Sequence, residues 1–316
     1  SLMTGVPYAY NYKEHWDAFV KESKNATFLF ERDFMEYHSS KYDDASVLVF
    51  DKKNKIIAVC AANVVGKVIY SHQGLTYGGI VVGKSVPYLL VEEIFVAVCR
   101  YYGEKGKDCF EIKLLPSFYS LRSSEEFSYI LHKYRAERYR VDFTSALALH
   151  HSYGYSTNKK RNLKNQVAEI EESCDYRCFW DKVLLPNLAE RHDVVPPHSA
   201  DEILYLAQLF PENIKLYTVL DQDVILAGTV LFITDNTVHA QYIAASAEGK
   251  KSNALDHLFD FLIKRYSEKS YFNFGVSNEQ QGKVINEGLL RWKEGFGARS
   301  FVHEFYRVDL TQFKHE

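Results

Sequence analysis

No apolar run in this chain approaches the ~20 residues that a membrane-crossing helix needs. The N-terminal stretch lacks a charged segment leading into an apolar core, so no secretory signal is expected. An excess of positive charge is also missing: 38 Lys and Arg stand against 41 Asp and Glu, a net charge of −3. No general basic field therefore advertises nucleic acid, and a polyanion would have to be held by a local patch. Cysteine is scarce and odd in number, with Cys60, Cys99, Cys109, Cys174 and Cys178. That argues against a disulfide framework and for free thiols in a reducing cytoplasm, three of them inside apolar strand or helix patterns. Cys174 and Cys178 are close in sequence, but no cluster of His or Cys completes a metal site around them, so no metal is expected. No sustained heptad run announces a coiled-coil arm. The opening "SLM" is expected to be an expression remnant before a native start at Met3.

What is present suffices for two domains: 316 residues, 47% apolar and 15% aromatic. The order of elements recurs. In the first half, "SVLVF" (46–50), "KIIAVCAAN" (55–63) and "KVIYSH" (67–72) read as strands separated by turns, and "GLTYGGIVV" follows. Val91, Ile94, Phe95, Val98 and Tyr101 then recur at helical spacing within 87–102. A strand "CFEIKLL" (109–115), a helix near 123–133 and a long alternating strand "RYRVDFTSALAL" close that half.

The second half runs "KLYTVL" (215–220), "VILAGTVLFI" (224–233) and "TVHAQYIAAS" (237–246). A helix follows with Leu255, Leu258, Phe259, Leu262, Ile263 and Tyr266 on one face, then a strand "YFNFGVS" (271–277). A helix in "NEGLLRWKEGFGARS" (286–300) and a strand "RSFVHEFYRVDL" (299–310) end it. Helical segments precede the strands in both halves, near 13–24 and 31–40, and near 179–192 and 200–210. An internal duplication of an α/β unit is the economical reading. It gives a first unit at 4–150, a linker with a basic helix at 151–178 and a second unit, expected to be catalytic, at 179–316.

"VHAQYIAAS", "AEGKKSNALDHLFDFLI", "YFNFGVS" and "NEGLLRWKEGFGAR", with "SHQGLTYGG" (71–79) in the first half, resemble the FemAB-like branch of the GNAT (acyl-CoA N-acyltransferase) superfamily. The resemblance implies an α/β chain of two tandem GNAT-like units, each a mixed, mainly antiparallel sheet flanked by helices, with the chemistry in the cleft of the second. It implies transfer of an acyl group from a phosphate-bearing donor, acetyl-CoA or another acyl-CoA, to an amine or hydroxyl of a small or carrier-linked acceptor. It also admits Fem-type transfer from aminoacyl-tRNA in cell-wall precursor synthesis, and a GNAT-derived ligand-binding protein without chemistry. The Q/R-x-x-G-x-G/A loop expected of coenzyme-A-binding GNATs is missing, and Asn273 stands where the resemblance leads one to expect Asp.

Acyl transfer needs donors for a developing oxyanion, a route for a proton and, for a phosphate-bearing donor, N–H groups at a helix start. "EGKKSN" offers the last, with Gly249 for a turn, Lys250 and Lys251 for charge, and Ser252 and Asn253 leading into the helix. Alternation along 237–246 sends His239, Gln241 and Ile243 one way and Ala240, Tyr242 and Ala244 the other. Tyr242 and Gln241 are candidates for positioning the acceptor or relaying a proton, against the alternative of a core tyrosine with a satisfied hydroxyl. Ser277 ends a strand where α/β sheets expose ligand-binding groups. Arg191, His192 and His198 flank Pro196-Pro197 in a loop expected at the cleft entrance.

In 286–300, Asn286 and Lys293 are the candidate contacts to the reacting groups. The matching "EFSYILHKYRAERYR" of the first half keeps a helix but lacks the Asn, the Lys-Glu pair and the Gly-Phe-Gly. Ile285, Leu289, Trp292 and Phe296 form the apolar stripe, and Gly295 or Gly297 is expected to end the helix in the left-handed region. Between the units, 158–173 reads as a helix with Leu163, Val167 and Ile170 as its stripe. Lys159, Lys160, Arg161 and Lys164 crowd its start and Glu169, Glu171 and Glu172 its end. The helix dipole prefers the reverse, by roughly 0.3–1 kcal/mol per charge. The arrangement reads either as a phosphate site, with Lys159 and Arg161 as contacts, or as a solvated charged face.

Overall fold

A computed structural model describes residues 3–37, 40–165, 168–190 and 195–314. The chain packs as two units, Ser1–Asp142 with Val302–Glu316, and Phe143–Phe301. Both are mixed α/β, as the sequence implies. The boundary falls inside two strands, Glu137–Ala148 and Arg299–Asp309, each of which starts in one unit and ends in the other. Sequence order groups the last strand with the second unit, but its side chains complete the first. Phe305 through Asp309 pair antiparallel with Lys113 through Cys109, and Val308, Leu310 and Phe313 enter that core.

The first unit has a four-stranded antiparallel sheet in the order Thr4–Pro7, Val47–Phe50, Ile56–Cys60, Ile80–Val82. A second row runs Asn63–Val65, Val68–Tyr70, Cys109–Lys113, then 302–309 and 137–142. The helix Tyr88–Glu104 buries Val91, Ile94, Phe95, Val98 and Cys99 because the 3.6-residue period puts them on one stripe. Val68–Tyr70 pairs parallel with Cys109–Glu111. Of "GLTYGGIVV", only Ile80–Val82 is a strand. Residues 71–79 instead loop over the parallel pair. Ser71 N–H donates to Glu111 O at 2.9 Å, Lys113 N–H to Ser71 Oγ at 2.9 Å, and Gly78 N–H to Lys113 O at 2.7 Å. Gly78 has to be bare: a Cβ there would lie 1.8 Å from the Ser71 carbonyl oxygen.

The second unit orders its strands as 143–148, Tyr271–Val276, Thr237–Ala245, Val224–Ile233, Ile214–Asp221 and Glu169–Ser173. Among its described residues one pair is parallel, Thr237–Ala245 with Tyr271–Val276. The helix Ala254–Arg265 covers one face through Leu258, Phe259 and Leu262. Trp180 and Phe179, in the helical run 176–189, stand against Tyr242 and Gly228 on the other. Phe259, Phe274, Trp292 and Phe296 form a ring cluster with centroids 5.2–6.2 Å apart. Such pairs add about 0.5–1.5 kcal/mol each beyond the area they bury.

The basic helix is shorter than expected. Thr157–Asn162 is helical, but Glu169–Ser173 is an edge strand paired with Ile214–Asp221; Val167 lies outside the described residues. "EIEES" has an apolar residue between charged ones, a period of two, and the ladder gives its backbone partners that a helix end would leave to water. The three glutamates therefore do not oppose a helix dipole. They charge a sheet edge, which discourages pairing with another chain. Of the thiols, Cys60 and Cys99 are buried and Cys174 is exposed. No group of metal-binding side chains occurs among the described residues, nor any helix long and apolar enough to cross a membrane.

Candidate functional site

The parallel pair of the second unit frames the candidate site. Thr237, Val238 and His239 pair with Tyr271, Phe272 and Asn273, and pairing stops there although the strands run on to Ala245 and Val276. Ladder pairing between the two strands thus ends short of their C-terminal ends, the usual place for ligands in such sheets. Both margins carry a bulge. Val230 faces Tyr242 while Leu231 faces Ala240, so Gln241 is the extra residue. Asn273 faces Ala146 while Val276 faces Thr144 on the other side.

The bulge at Gln241 overturns the simple alternation expected for this strand. Val238, Ala240, Ile243 and Ala245 pack into the core with the helix Ala254–Arg265. His239 and Gln241 instead join one hydrogen-bonded chain with Asn273. Asn273 Oδ1 accepts from Thr144 Oγ1 at 3.1 Å and from Gly275 N–H at 2.9 Å, so its Nδ2 donates to His239 Nδ1 at 2.9 Å. That leaves Nε2 to carry the His239 proton and donate to Gln241 Oε1 at 3.1 Å. Burial pushes the His239 pKa down to about 4, and the nearby Lys293 charge adds to the effect. The imidazole is neutral at pH 7 and fixed in one tautomer.

The Tyr242 Oη accepts from His198 N–H at 3.2 Å and lies 2.6 Å from His198 Nδ1. Trp180 meets the Tyr242 ring edge-on at 5.1 Å. Burial raises the Tyr242 pKa, so the group serves as a neutral hydroxyl and not as a base.

Lys293 is 2% exposed and donates through Nζ to Val276 O at 2.7 Å and Gly275 O at 3.2 Å. It comes from the last turn of the helix Glu287–Glu294, next to Trp292, whose packing on Phe259 and Phe274 holds that turn in place. An ammonium is thereby set at the C-terminal end of the strand Tyr271–Val276.

By sequence, no family model matches the chain and no curated protein matches it. Solved structures do. A crystal structure of FemX superposes with a TM-score of 0.70 at 12% identity, covering 98% of each chain. L-PGS from Bacillus licheniformis gives 0.55 at 11%, covering 93% of this chain and 90% of that one. A tandem GNAT protein from the clavulanic acid biosynthesis pathway gives 0.52 at 9%, covering 98% of each. The fold is that of the tandem GNAT proteins. The resemblance read from the sequence is thus matched in three dimensions over nearly the whole chain.

Within this GNAT frame the remaining candidates divide. Asn286 caps its helix: Oδ1 accepts from Leu289 N–H at 3.1 Å, while Nδ2 donates to Glu279 Oε1 at 3.1 Å. Its own N–H donates to Ser277 O at 2.8 Å. Ser277 is buried, and its Oγ has no hydrogen-bond partner among the described residues. Ile285 is not on the helix but exposed in the short strand Val284–Ile285. Gly297, at φ 94°, is the left-handed residue that ends the helix, whereas Gly295 is still helical at φ −60°.

Lys159 is turned inward and pairs with Asp256 at 2.7 Å, both nearly fully buried. Asp256 also accepts from Trp292 Nε1 at 2.8 Å and Asn162 Nδ2 at 2.9 Å. The ion pair therefore ties three helices together. Arg161 is exposed and bonds to Asn158, so the two cations do not converge.

Gly249 does not make a turn. It lies inside the helix Ala247–Lys251, where a Cβ would come 2.1 Å from Leu226 O. Ser246 Oγ accepts from Gly249 N–H at 3.1 Å. Lys250 and Lys251 are exposed and lean toward Glu190 and Glu248, each at 3.7 Å. Ser252 Oγ donates to Gly249 O at 3.2 Å, and Asn253, left-handed at φ 57°, joins this helix to Ala254–Arg265. Arg191 and His192 lie outside the described residues. The bond between His239 and Asn273 went unread in the sequence, because only the pairing of two distant strands brings them together.

Proposed function

We propose that this protein is an acyltransferase whose chemistry takes place in the crevice of the second unit. One observation carries the reading: the Lys293 ammonium, buried and bonded to the Gly275 and Val276 carbonyls where the parallel strands part. Attack of an amine or hydroxyl on an activated carbonyl builds negative charge on the carbonyl oxygen. A cation already fixed in a site that excludes water stabilises that charge more than it stabilises the substrate. His239 and Gln241 shape the wall, held by Asn273. Ser277 Oγ supplies a buried hydroxyl for the acceptor or the carbonyl. Tyr242, bonded to His198, acts as a positioning residue.

Two donors are compatible with this chemistry, and residues 246–253 bear on the choice. A coenzyme A pyrophosphate needs a loop of free N–H groups. Here Gly249 N–H is capped by Ser246, and Gly249 itself is packed on Leu226. These residues do not form that cradle, which favours an aminoacyl ester such as aminoacyl-tRNA. The second reading, acyl-CoA, draws on Lys250 and Lys251, exposed just before the helix Ala254–Arg265. The acceptor is an amine or hydroxyl of a small or carrier-linked molecule.

Thermal shift with each donor separates the readings, since a ligand at a hundredfold excess over its Kd adds about 2.7 kcal/mol of stability. A shift with a non-hydrolysable aminoacyl-tRNA analogue and none with acetyl-CoA supports the first. A shift with acetyl-CoA that disappears in Lys250→Ser/Lys251→Ser establishes the second. Absence of both shifts, together with no transfer from either donor to a panel of amines, leaves a binding protein without chemistry.

A further inference from the structure

The first unit holds a group of basic side chains that the proposed reaction does not use. They lie on the face of its strands opposite the core. Lys113 sits directly across from Phe305 in the antiparallel ladder, and His303 is two residues before Phe305, so all three share a face. The Phe305 ring has the His303 ring on it at 4.6 Å and the Arg140 guanidinium at 4.6 Å.

The charges on this face pair off with one exception. Arg140 makes two bonds to Asp142 at 2.9 and 3.0 Å. Arg138 meets Glu304 at 2.9 Å and Arg307 meets Glu111 at 2.8 Å. Lys113 has only carbonyl partners among the described residues, Leu75 O at 2.8 Å and Gln73 O at 3.4 Å. Beside it His303 is 6% exposed, and its Nε2 has no hydrogen-bond partner among the described residues. One cation without a carboxylate and one buried imidazole nitrogen without a partner are the complement of a single anion.

We propose that Lys113 and His303, with Arg140 beside them, bind an anionic oxygen group, a carboxylate or a phosphate, on this face of the first unit. Burial, opposed by the Asp142 carboxylate and reinforced by the Lys113 and Arg140 charges, brings the His303 pKa down to about 4. Burial together with Arg140 brings Lys113 down to about 8, with Glu111 acting the other way. An anion relieves both strains: it returns the Lys113 ammonium toward its ordinary range and lets His303 take up a proton. Affinity therefore rises as pH falls through the His303 titration range. The site stands whether or not the second unit transfers acyl groups, and its test does not use turnover.

The test is an NMR titration of imidazole-labelled protein with inorganic phosphate and, separately, acetate, using chloride to hold ionic strength constant. The His303 signal is the one lost in His303→Gln. The expected result is a saturable shift of that signal with one of the two anions, which also tells phosphate from carboxylate, and a His303 titration midpoint raised by about one unit. Lys113→Gln should weaken binding about tenfold, and Lys113→Arg should keep it. Absence of a saturable His303 shift with both anions in the unsubstituted protein overturns the proposal, whether or not the Lys113 variants fold. An undiminished shift in folded Lys113→Gln overturns it too.

Discussion

In the first unit the parallel strands Val68–Tyr70 and Cys109–Lys113 are covered by residues 71–79, which bond to both strands through Ser71 and to Lys113 through Gly78. In the second, the strands Thr237–Ala245 and Tyr271–Val276 separate after His239 and Asn273, and no ladder pairs follow. Each unit places a lysine amine on two backbone carbonyls near this point, Lys113 on Gln73 and Leu75, Lys293 on Gly275 and Val276. The strands are common to both. What differs is whether the chain returns a loop across the parting strands or leaves them apart with a bulge on each margin. Two similar strand arrangements thus differ in what covers the parallel pair, through changes outside the regular elements.

The strongest way to break this comparison is to remove the two amines separately. Lys293→Met should lower single-turnover transfer by about 10²–10³ while the urea midpoint changes little, as expected for loss of an oxyanion-stabilising group. Lys113→Met should leave transfer within a few-fold. Equal losses from the two would show that the two arrangements are not functionally distinct.

A test on both units at once uses pH. His303 in the first and His239 in the second are each pushed by burial to about 4. Both folded values lie below the unfolded value near 6.5, so between about 6.5 and 4 the unfolded chain binds more protons. Stability is present above that window and is lost as pH falls through it, by on the order of 3 kcal/mol per imidazole. Urea midpoints at about pH 7 and pH 5 measure the slope, and His239→Gln should remove roughly half of it. An unchanged slope in that variant would show that His239 is not buried neutral.

Glycine packing gives a smaller effect. Gly78→Ala places a Cβ 1.8 Å from Ser71 O and Gly249→Ala one 2.1 Å from Leu226 O. Each should destabilise by about 1–3 kcal/mol on chemical denaturation, the cost of overpacking against backbone. A Gly249→Ala protein of unchanged stability that no longer binds a donor would return Gly249 to phosphate binding. The smallest effect is expected for Asn286→Ala, about 1 kcal/mol of stability for a lost helix cap. Its transfer rate should stay far closer to that of the unsubstituted protein than the rate of Lys293→Met does.

Much of this was legible along the chain. The helix Tyr88–Glu104, the strand Val224–Ile233 and the helix Ala254–Arg265 follow from periodicity, because burial of one face writes a period of 3.6 or 2 into the residues. Lys293 was picked out by what the second copy has and the first lacks. Lys159 shows the limit. Its sequence neighbours are Lys160 and Arg161, which suggests a basic patch, yet its partner is Asp256, nearly a hundred residues away. Such an ion pair leaves no local pattern. Gly249 shows another limit, since a glycine kept for close packing and one kept for a turn look alike in one chain.

The sequence by itself determined the two α/β units, the alternation of their strands and the capped helix 287–294, all consequences of local periodicity and capping chemistry. Only the tertiary structure decided three further things. The last strand completes the first unit, 169–173 is a strand, and Gln241 bulges out of the pairing with Val230 and Leu231. Each depends on which distant backbone supplies a hydrogen-bond partner. Pairing between segments far apart in the chain is set by the energy of the assembled sheet and not by the residues next door.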